Sequence, residues 1–299
     1  MKKTLLLHNQ DAGDDDYFKS ELMHAIEKEG FSCTYFPIKH DDRWKEEIDQ
    51  ADFIIAAGGD GTIRRVVKEL MKKEKQNQHI PFAILPLGTA NNLSKSLNPK
   101  LGLSVEDHIK SWKTSDAKRF DFGAVYDKET VDYFLEGAGY GLFAQLINKM
   151  DSISTEHLED ADDKLRFARE ELLKLVLSAE ASPYYIKADK RIYNGNALLI
   201  EIMNIPSIGP NLVLSPDAQT DDGMLDIVCI QEEQRDEFAA YIKRLINDED
   251  ISWRGHSIKA RRCRLVCQSR FMHVDDEAST NSKEELRIEV MDNALKIIR

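Results

Sequence analysis

Apolar runs and helical spacings alternate along the first 125 residues of the chain. Strand-like runs at KTLLLHN, FSCTYFPI, FIIAAGG and FAILPLG are separated by segments with apolar residues at helical intervals, among them Tyr17 to Glu29 and Ile63 to Lys73. Such alternation predicts a parallel sheet covered by helices, with ligands bound beyond the carboxyl ends of the strands.

Two of the predicted strands end in glycine-marked loops. GGDGT, residues 58 to 62, ends the strand that begins at Phe53. PLGTANN, residues 86 to 92, ends the strand that begins at Phe82. Glycine lets the backbone approach a ligand closely, and the amides that begin the next helix favour a phosphate. GGDGT alone is equally compatible with a tight turn capped by Asp60 or Thr62. A second such loop after a second strand favours the phosphate interpretation.

The pattern changes from about Ala124. Strand-like stretches follow at VDYFLEGAG, YYIKADKRIYNGNALLIEIMN, GMLDIVCIQ, KARRCRLVCQS and LRIEVMDNALKIIR, which indicates an antiparallel domain. One long helical segment, His157 to Ala179, interrupts them, and we expect its apolar stripe to pack on the sheet rather than to face a membrane. The predicted domains are residues 1–123 and 124–299, with the last residues able to return to the first domain.

Two acidic clusters lie in the second half. SPDAQTDDGMLDI, residues 215 to 227, brings acids together around a glycine, which suits either a hard cation or an acidic surface turn. HVDDEAS places Asp275, Asp276 and Glu277 directly after an apolar run. Those acids can supply a base, hold Mg²⁺ or form a solvated turn.

The segment RRCRLVCQ alternates as a strand. Cys263, Leu265 and Cys267 share one face, so buried, reduced thiols are favoured over a metal or redox pair. Arg262, Arg264 and Val266 share the other face. That face could favour anionic lipid or phosphate, or could simply be solvated.

Composition and charge narrow the class of protein. The 299 residues are 42% hydrophobic and 31% charged, which is ordinary for a globular protein of two domains. A formal net charge of -12 argues against a nucleic-acid partner. No stretch approaches the roughly 20 apolar residues of a transmembrane helix, and MKKTLLLHNQDAGDDD does not resemble a signal peptide. We therefore expect a cytoplasmic protein, with peripheral contact at the inner membrane face left open.

The motifs, taken in order, resemble a known family. GGDGTIRRVV, PLGTANNL, GAGYG, SPDAQTDDGMLDI and HVDDEAS are similar to the diacylglycerol kinase-type catalytic fold of lipid kinases, over nearly the whole chain. The resemblance implies an α/β nucleotide domain like those of NAD kinases and phosphofructokinases, followed by a β-rich antiparallel sandwich domain that binds lipid. It also implies a kinase that uses ATP and Mg²⁺ to phosphorylate the hydroxyl of diacylglycerol or a related lipid alcohol.

The resemblance also implies roles for individual residues. Glu277 matches the general base, and Asp222 matches the acid of a structural metal site. Asp60 and Asp275 are the other expected catalytic residues, and Asp60 would help to organise the metal and its waters. The residues expected to bind the nucleotide are Asn9, Gly58, Gly59, Asp60, Gly61, Thr62, Gly88, Thr89, Asn91 and Asn92.

Two positions depart from the family pattern. Asn92 stands where the second loop commonly has an acid, and it adds no negative charge. Asp276 stands where the last motif commonly has glycine. An aspartate there would strain the backbone if the position has a left-handed conformation. Two alternatives therefore stay open: a non-catalytic nucleotide- or lipid-binding protein of the same fold, and an NAD kinase. A lipid substrate at a membrane surface is the expected partner, and a homodimer is left open.

Overall fold

A computed structural model of the protein describes residues 1–12, 19–72, 80–97, 104–127, 130–154, 158, 160–280 and 285–298. The helix starts expected at Tyr17 and His157, and the helix end expected at Lys73, lie outside these residues. The chain divides into two compact units: unit 1 comprises Met1–Phe120 and Asn293–Arg299, and unit 2 comprises Asp121–Asp292.

Unit 1 is built on a parallel sheet. Its strands are β1 (Lys3–His8), β2 (Ser32–Pro37), β3 (Phe53–Gly58) and β4 (Phe82–Pro86), paired in the order β2-β1-β3-β4. Its helices are α1 (Lys19–Lys28), α2 (Trp44–Glu47), α3 (Asp60–Lys72), α4 (Asn92–Leu97) and α5 (Val105–Ser111). Every residue of β3 is buried, as expected for a parallel strand that helices cover. The predicted α/β architecture is confirmed.

The helices of unit 1 follow the apolar spacing of the sequence. α3 buries Ile63, Val66, Val67 and Leu70, which lie one helical turn apart on a single face. α5 begins at an N-cap, because the hydroxyl of Ser104 accepts a hydrogen bond from the amide of Asp107 at 3.2 Å.

Unit 2 is mainly antiparallel. Its strands are β5 (Ala117–Tyr126), which begins in unit 1, β6 (Val131–Phe134), β7 (Gly137–Gly141), β8 (Ser182–Ala188), β9 (Arg191–Met203), β10 (Ser207–Ile208), β11 (Leu212–Val213), β12 (Leu225–Gln231), β13 (Ser257–Ala260), β14 (Arg262–Cys267), β15 (Met272–Val274), β16 (Glu277–Ser279) and β17 (Leu286–Ile298), which ends in unit 1. The first part of β9 pairs with β8, and its second part pairs with β7 and β12. This shared strand joins the layers of the predicted sandwich.

Within its described residues, unit 2 contains three α-helices rather than one. They are α6 (Leu142–Asp151), α7 (Ala161–Ser178) and α8 (Arg235–Ile246). Leu172 and Val176 of α7 are buried in a cluster that also contains residues of β9, β12 and α8, so the apolar stripe packs inside the protein. None of the helices described here is long and apolar enough to cross a bilayer.

The alternation of RRCRLVCQ is confirmed. Cys263, Leu265 and Cys267 are buried in the core of unit 2, whereas Arg262, Arg264 and Val266 are exposed. All four cysteines are free thiols. Burial raises the pKa of Cys263 to about 12, which keeps this thiol protonated and unreactive.

Candidate functional site

Three loops of unit 1 meet at the carboxyl edge of its parallel sheet. β1, β3 and β4 are neighbours, so Asn9, GGDGT and PLGTANN emerge side by side. The amide of the Asn9 side chain donates a hydrogen bond to the Thr62 hydroxyl at 3.2 Å. The amide of Leu87 donates to the Gly58 carbonyl at 3.1 Å. The structure therefore brings together the loops whose residues the sequence analysis expects to bind the nucleotide.

Asp60 fastens the first glycine loop to the second. One carboxylate oxygen accepts the amide of Asn92 at 2.9 Å, and the other accepts the amide of Leu93 at 3.1 Å. These amides begin α4, so the carboxylate lies at the positive end of that helix, where an anion is stabilising. The expected role of Asp60 in organising a metal stays a prediction, beside the capping role that the structure defines.

The two glycine loops touch through their backbones. A Cβ atom at Gly88 would lie 2.4 Å from the Cα of Gly59, and one at Gly59 would lie 3.3 Å from the Cα of Gly88. Asn91 holds this arrangement with a left-handed backbone, φ 50°, while its side-chain oxygen accepts the Gly88 amide at 3.0 Å. The glycines are therefore required for loop packing, and their role in ligand access stays a prediction.

This edge of unit 1 has the chemistry of an anion site. α3 begins at Asp60, directly after Gly58 and Gly59, so the positive end of its dipole faces the first loop. Gly61 and Thr89 lie half-buried in the same two loops. Asn92 is buried at the start of α4. Glycine backbone, the amides that begin α3 and neutral side chains suit a phosphate, while the Asp60 carboxylate in the same loop binds the amides of α4.

In unit 2, the expected metal site at Asp222 contains an ammonium group. Lys259 Nζ lies 2.6 Å from one Asp222 oxygen and 3.7 Å from a carboxylate oxygen of the buried Asp226, and it donates to the Asp217 carbonyl at 3.4 Å. Two carboxylates and a carbonyl are ligands that a hard cation would use. No group of three or more metal-ligating side chains occurs among the described residues. As this chain stands, the residues around Asp222 do not fit a metal ion, because Lys259 already supplies the positive charge.

Asp121 of β5 is a residue that sequence reasoning missed, and it supports the DDG turn at residues 221–223. It is fully buried, its carboxylate accepts the Gly223 amide at 2.8 Å, and its amide donates to the Thr220 carbonyl at 2.7 Å. These bonds hold the turn that carries Asp222. A signal was present in the sequence, since an acid inside the apolar stretch FDFGAV needs a polar partner.

Asp275 holds the hairpin that carries Glu277. β15 and β16 are joined by the two residues Asp275 and Asp276. Asp275 has a φ of 50°, and its carboxylate accepts the amides of Leu135, Glu136 and Gly137 at 2.8 to 3.1 Å. Asp275 is thus fixed as a positioning residue for the hairpin, and its catalytic role stays a prediction. The left-handed residue of this turn is Asp275, so the strain expected at Asp276 does not arise there.

Glu277 opens β16 with an exposed side chain. Glu277 directly follows the turn at residues 275–276, so the hydrogen bonds of the Asp275 carboxylate fix its backbone position. Its role as general base remains a prediction.

A buried charged pair supports the same hairpin and was not anticipated from the sequence. Nε2 of His273 lies 2.8 and 3.0 Å from the two carboxylate oxygens of Glu201, and Nδ1 lies 2.9 Å from the Asp275 carbonyl. Since a carbonyl only accepts, Nδ1 carries a proton. Burial lowers the pKa of His273, but the Glu201 charge and these hydrogen bonds raise it by more, so the net shift is upward. Burial raises the pKa of Glu201.

The GAGYG segment makes room for this pair. In β7, Gly139 lies opposite both Glu201 of β9 and His273 of β15. A Cβ atom at Gly139 would lie 1.9 Å from the Ile200 carbonyl oxygen and 2.8 Å from a Glu201 carboxylate oxygen. A glycine at this strand position therefore has a packing reason. Glu201 lies 62 residues from Gly139 along the chain. As an acid inside the apolar stretch LLIEIM it signalled the need for a polar partner, but the sequence did not identify that partner.

A parallel-sheet unit with glycine loops at its strand ends, followed by an antiparallel sandwich, defines the fold class of NAD kinases and lipid kinases. Comparison with known families agrees: residues 3–125 match the diacylglycerol kinase catalytic domain, and residues 149–299 match the YegS C-terminal NAD kinase beta sandwich-like domain. The chain belongs to the diacylglycerol kinase-type family of bacterial lipid kinases.

Individual relatives show the same relationship. The chain is 25% identical to the diacylglycerol kinase of Bacillus subtilis (strain 168) over 268 residues, which cover 84% of this chain and 81% of the relative. A crystal structure of a diacylglycerol kinase from Bacillus anthracis str. Sterne has a TM-score of 0.70 at 18% identity, covering 99% and 96% of the two chains. An NAD kinase from Archaeoglobus fulgidus in complex with ATP has a TM-score of 0.55 at 12% identity, covering 100% and 94%. These two structures support the fold alone.

Proposed function

We propose that this chain is an ATP-dependent lipid kinase that transfers the γ-phosphoryl group to a hydroxyl of diacylglycerol or a related lipid alcohol. The observation that carries the proposal is the link made by Asp60 between the glycine loops after β3 and β4. It keeps two backbone-lined loops together at the end of a parallel sheet, where a polyphosphate is favoured. The family and the diacylglycerol kinase relative support the lipid as acceptor.

The first loop, Gly58 to Thr62, binds the phosphates of ATP through its backbone and the start of α3. Gly88, Thr89 and Asn91 close the nucleotide site from the second loop, and Asn9 supports the first loop through Thr62. Mg²⁺ enters with ATP as part of the substrate and offsets charge on the phosphate oxygens.

Glu277 is the proposed base. Its carboxylate accepts the proton of the lipid hydroxyl while that oxygen forms a bond to the γ-phosphorus and the bond to ADP breaks. The products are a lipid phosphate, ADP and the proton on Glu277. Exposure of Glu277 is compatible with this role because the acceptor must reach it.

Two alternatives have specific support. Asn92 removes an acid that the family commonly carries, which favours a protein that binds nucleotide or lipid without catalysis. The fold is shared with an NAD kinase, so NAD is the alternative acceptor to be assayed. We rank both alternatives below the lipid kinase. The catalytic domain matches that of diacylglycerol kinases, and the 25% identical relative is named a diacylglycerol kinase.

The test is a transfer assay with the full chain, Mg²⁺ and ATP labelled at the γ-phosphate. Acceptors are diacylglycerol, monoacylglycerol and other lipid alcohols in mixed micelles, with NAD assayed separately. Label on a lipid alcohol supports the proposal, and label on NAD alone replaces it by the NAD kinase alternative. ATP binding by calorimetry without transfer to any acceptor indicates the non-catalytic alternative.

Glu277→Gln tests the proposed base. The amide keeps the shape of the side chain and removes the proton acceptor, so turnover should fall by about 10² to 10⁴ while ATP affinity hardly changes. Steady-state kinetics and calorimetry measure the two quantities. Glu180→Gln is the matched control, because Glu180 is also exposed in unit 2 and should leave turnover unchanged. Equal turnover in Glu277→Gln and wild type would remove Glu277 as the base.

A further inference from the structure

One sheet face of unit 2 carries cations in a row across neighbouring strands. Lys187 of β8 lies opposite Arg264 of β14, and Arg264 lies opposite Arg287 of β17. Like charges directly opposite each other on a sheet destabilise it unless an anion is present. Three acids border this row: Asp189, Glu285 and Glu289. Glu285 approaches the two arginines at 3.9 and 3.5 Å, and because these side chains are exposed, each ion pair contributes little.

The same face exposes apolar side chains beside the cations. Ile192 of β9 pairs with Lys187 and is 56% exposed. Tyr185 and Val266 lie opposite each other in the next row and are 40% and 37% exposed. The other face of these strands is core, with Ile186 and Leu265 fully buried. We call this surface the basic strand face, defined by Lys187, Arg264 and Arg287 with Tyr185, Ile192 and Val266.

We propose that the basic strand face docks the protein onto bilayers that contain anionic lipid. Cations near a membrane surface are attracted to anionic headgroups, and an adjacent tyrosine and aliphatic side chains can enter the interfacial region. Neighbouring strands lie about 4.8 Å apart, so the row from β9 to β17 spans roughly 15 Å. The choice of a membrane as partner rests on the proposed lipid kinase function, whereas the docking itself requires no catalysis.

Other partners fit this face less well. A nucleic acid would use the cations but would gain nothing from Ile192 and Val266. A symmetric contact with a second copy would place the row of cations against itself, with repulsion as the result. The net charge of -12 opposes general attraction of the chain to anionic surfaces. Binding to anionic lipid should therefore depend on this one face.

The experiment measures binding of the full chain to sedimented vesicles of phosphatidylcholine with increasing phosphatidylglycerol, without ATP. We expect binding that rises with phosphatidylglycerol and falls with salt. The variant Lys187→Gln/Arg264→Gln/Arg287→Gln should bind phosphatidylglycerol vesicles more weakly, on the order of 10²-fold. The control Arg166→Gln/Lys243→Gln/Arg254→Gln removes three exposed cations elsewhere in unit 2 and should bind more weakly by far less.

A second variant keeps the test valid if the first fails to fold. Ile192→Ser/Val266→Ser changes exposed positions and should weaken vesicle binding while its salt dependence remains. Equal binding by the triple variant of the basic strand face, called the basic-face variant, and by the control variant would overturn the proposal. Wild-type binding that does not change with the phosphatidylglycerol content would also overturn it. So would light scattering that shows a wild-type dimer lost in the basic-face variant. Turnover on a short-chain acceptor in neutral detergent should stay at the wild-type level in that variant, which separates failed docking from failed catalysis.

Discussion

At the residue scale, Glu201 and His273 show how unit 2 supports its hairpin without a sequence motif. Both ring nitrogens of His273 face acceptors, so the buried pair holds one proton between Nε2 and the Glu201 carboxylate. Through the Asp275 carbonyl, the pair reaches the turn that precedes Glu277. Both residues are therefore positioning residues in the proposed mechanism.

His273→Ala should lower the free energy of unfolding by about 3–5 kcal/mol, because it leaves Glu201 buried without a partner. Glu201→Gln should cost less, since the amide oxygen can still accept from Nε2. Urea unfolding of both variants measures the difference. His256→Ala, at an exposed histidine of unit 2, is the control and should change little. A cost for His273→Ala no larger than that of His256→Ala would contradict the buried pair.

The same pair predicts a pH dependence. The folded-state pKa of His273 is raised above the ordinary value of about 6.5, so the folded protein holds the proton more tightly than the unfolded chain does. The stability that the pair contributes should be fully present below about pH 6.5 and lost as pH rises through the raised pKa. The measured quantity is the stability difference between wild type and His273→Ala from acid to alkaline pH. A difference that stays constant across this range would contradict the prediction.

Lys259 predicts that the stability of the protein does not depend on a divalent ion at Asp222. Partial burial lowers the pKa of Lys259, but its contacts with Asp222 and Asp226 raise it by more, so the ammonium stays charged. Wild-type protein should melt at the same temperature in chelator and in Ca²⁺ or Mg²⁺. Lys259→Ser leaves two carboxylates and a carbonyl together, so added Ca²⁺ should raise its melting temperature.

Lys243→Ser, which removes an exposed lysine of α8, is the control for that experiment and should not respond to Ca²⁺. A wild-type melting temperature that falls in chelator, with the fall abolished by Asp222→Ala, would restore the metal assignment of Asp222.

At the element scale, α4 is only six residues long and would be marginal by itself. Asp60 stabilises it by accepting two of its first amides. The close backbone contact of Gly59 and Gly88 allows that approach. The second loop and its helix therefore take their position from the first loop.

Gly88→Ala should disturb this contact strongly. The new methyl group would meet the Gly59 backbone at 2.4 Å, so the loops must separate, and both the melting temperature and the ATP affinity should fall. Gly59→Ala should have a smaller effect, since its Cβ would lie 3.3 Å from Gly88. Thermal unfolding and calorimetry measure the two quantities. Gly195→Ala is the control, because a Cβ atom there would lie 3.4 Å from its nearest neighbour. A fall in melting temperature for Gly88→Ala no larger than that for Gly195→Ala would contradict the packing argument.

At the scale of the whole molecule, the chain leaves unit 1 within β5 and returns to it within β17. Ile297 pairs in parallel with Phe82 of β4, and both side chains are buried. The last strand of the chain thus completes the sheet that begins with its first strand. The stability of unit 1 should depend on residues far from its motifs.

Ile297→Ala should lower the stability of unit 1 by about 2–5 kcal/mol through loss of buried apolar contacts. Urea unfolding can be followed by tryptophan fluorescence, since Trp44 and Trp112 lie in unit 1 and Trp253 lies in unit 2. Ile192→Ala, at an exposed position, should change stability by about 0.5 kcal/mol or less. Equal losses of stability for the two substitutions would contradict the contribution of β17 to the sheet of unit 1.

The sequence predicted the elements of unit 1 well because local periodicity follows burial there. β3 is apolar throughout and α3 has apolar residues one turn apart, so each pattern identifies its element. Unit 2 was harder. The segment VDYFLEGAG reads as one strand but forms β6 and β7, because Asp275 binds the amides between them.

What the sequence determined by itself was the fold class and the glycine loops, since strand length, helical spacing and turn chemistry are local properties. Only the tertiary structure decided which side chains meet: Asp60 caps a helix 32 residues on, Lys259 lies 37 residues from Asp222, and His273 lies 72 residues from Glu201. The alignment of Lys187, Arg264 and Arg287 likewise depends on strand register. Register is set by pairing between distant segments, and a shift of one residue would exchange every partner and every face.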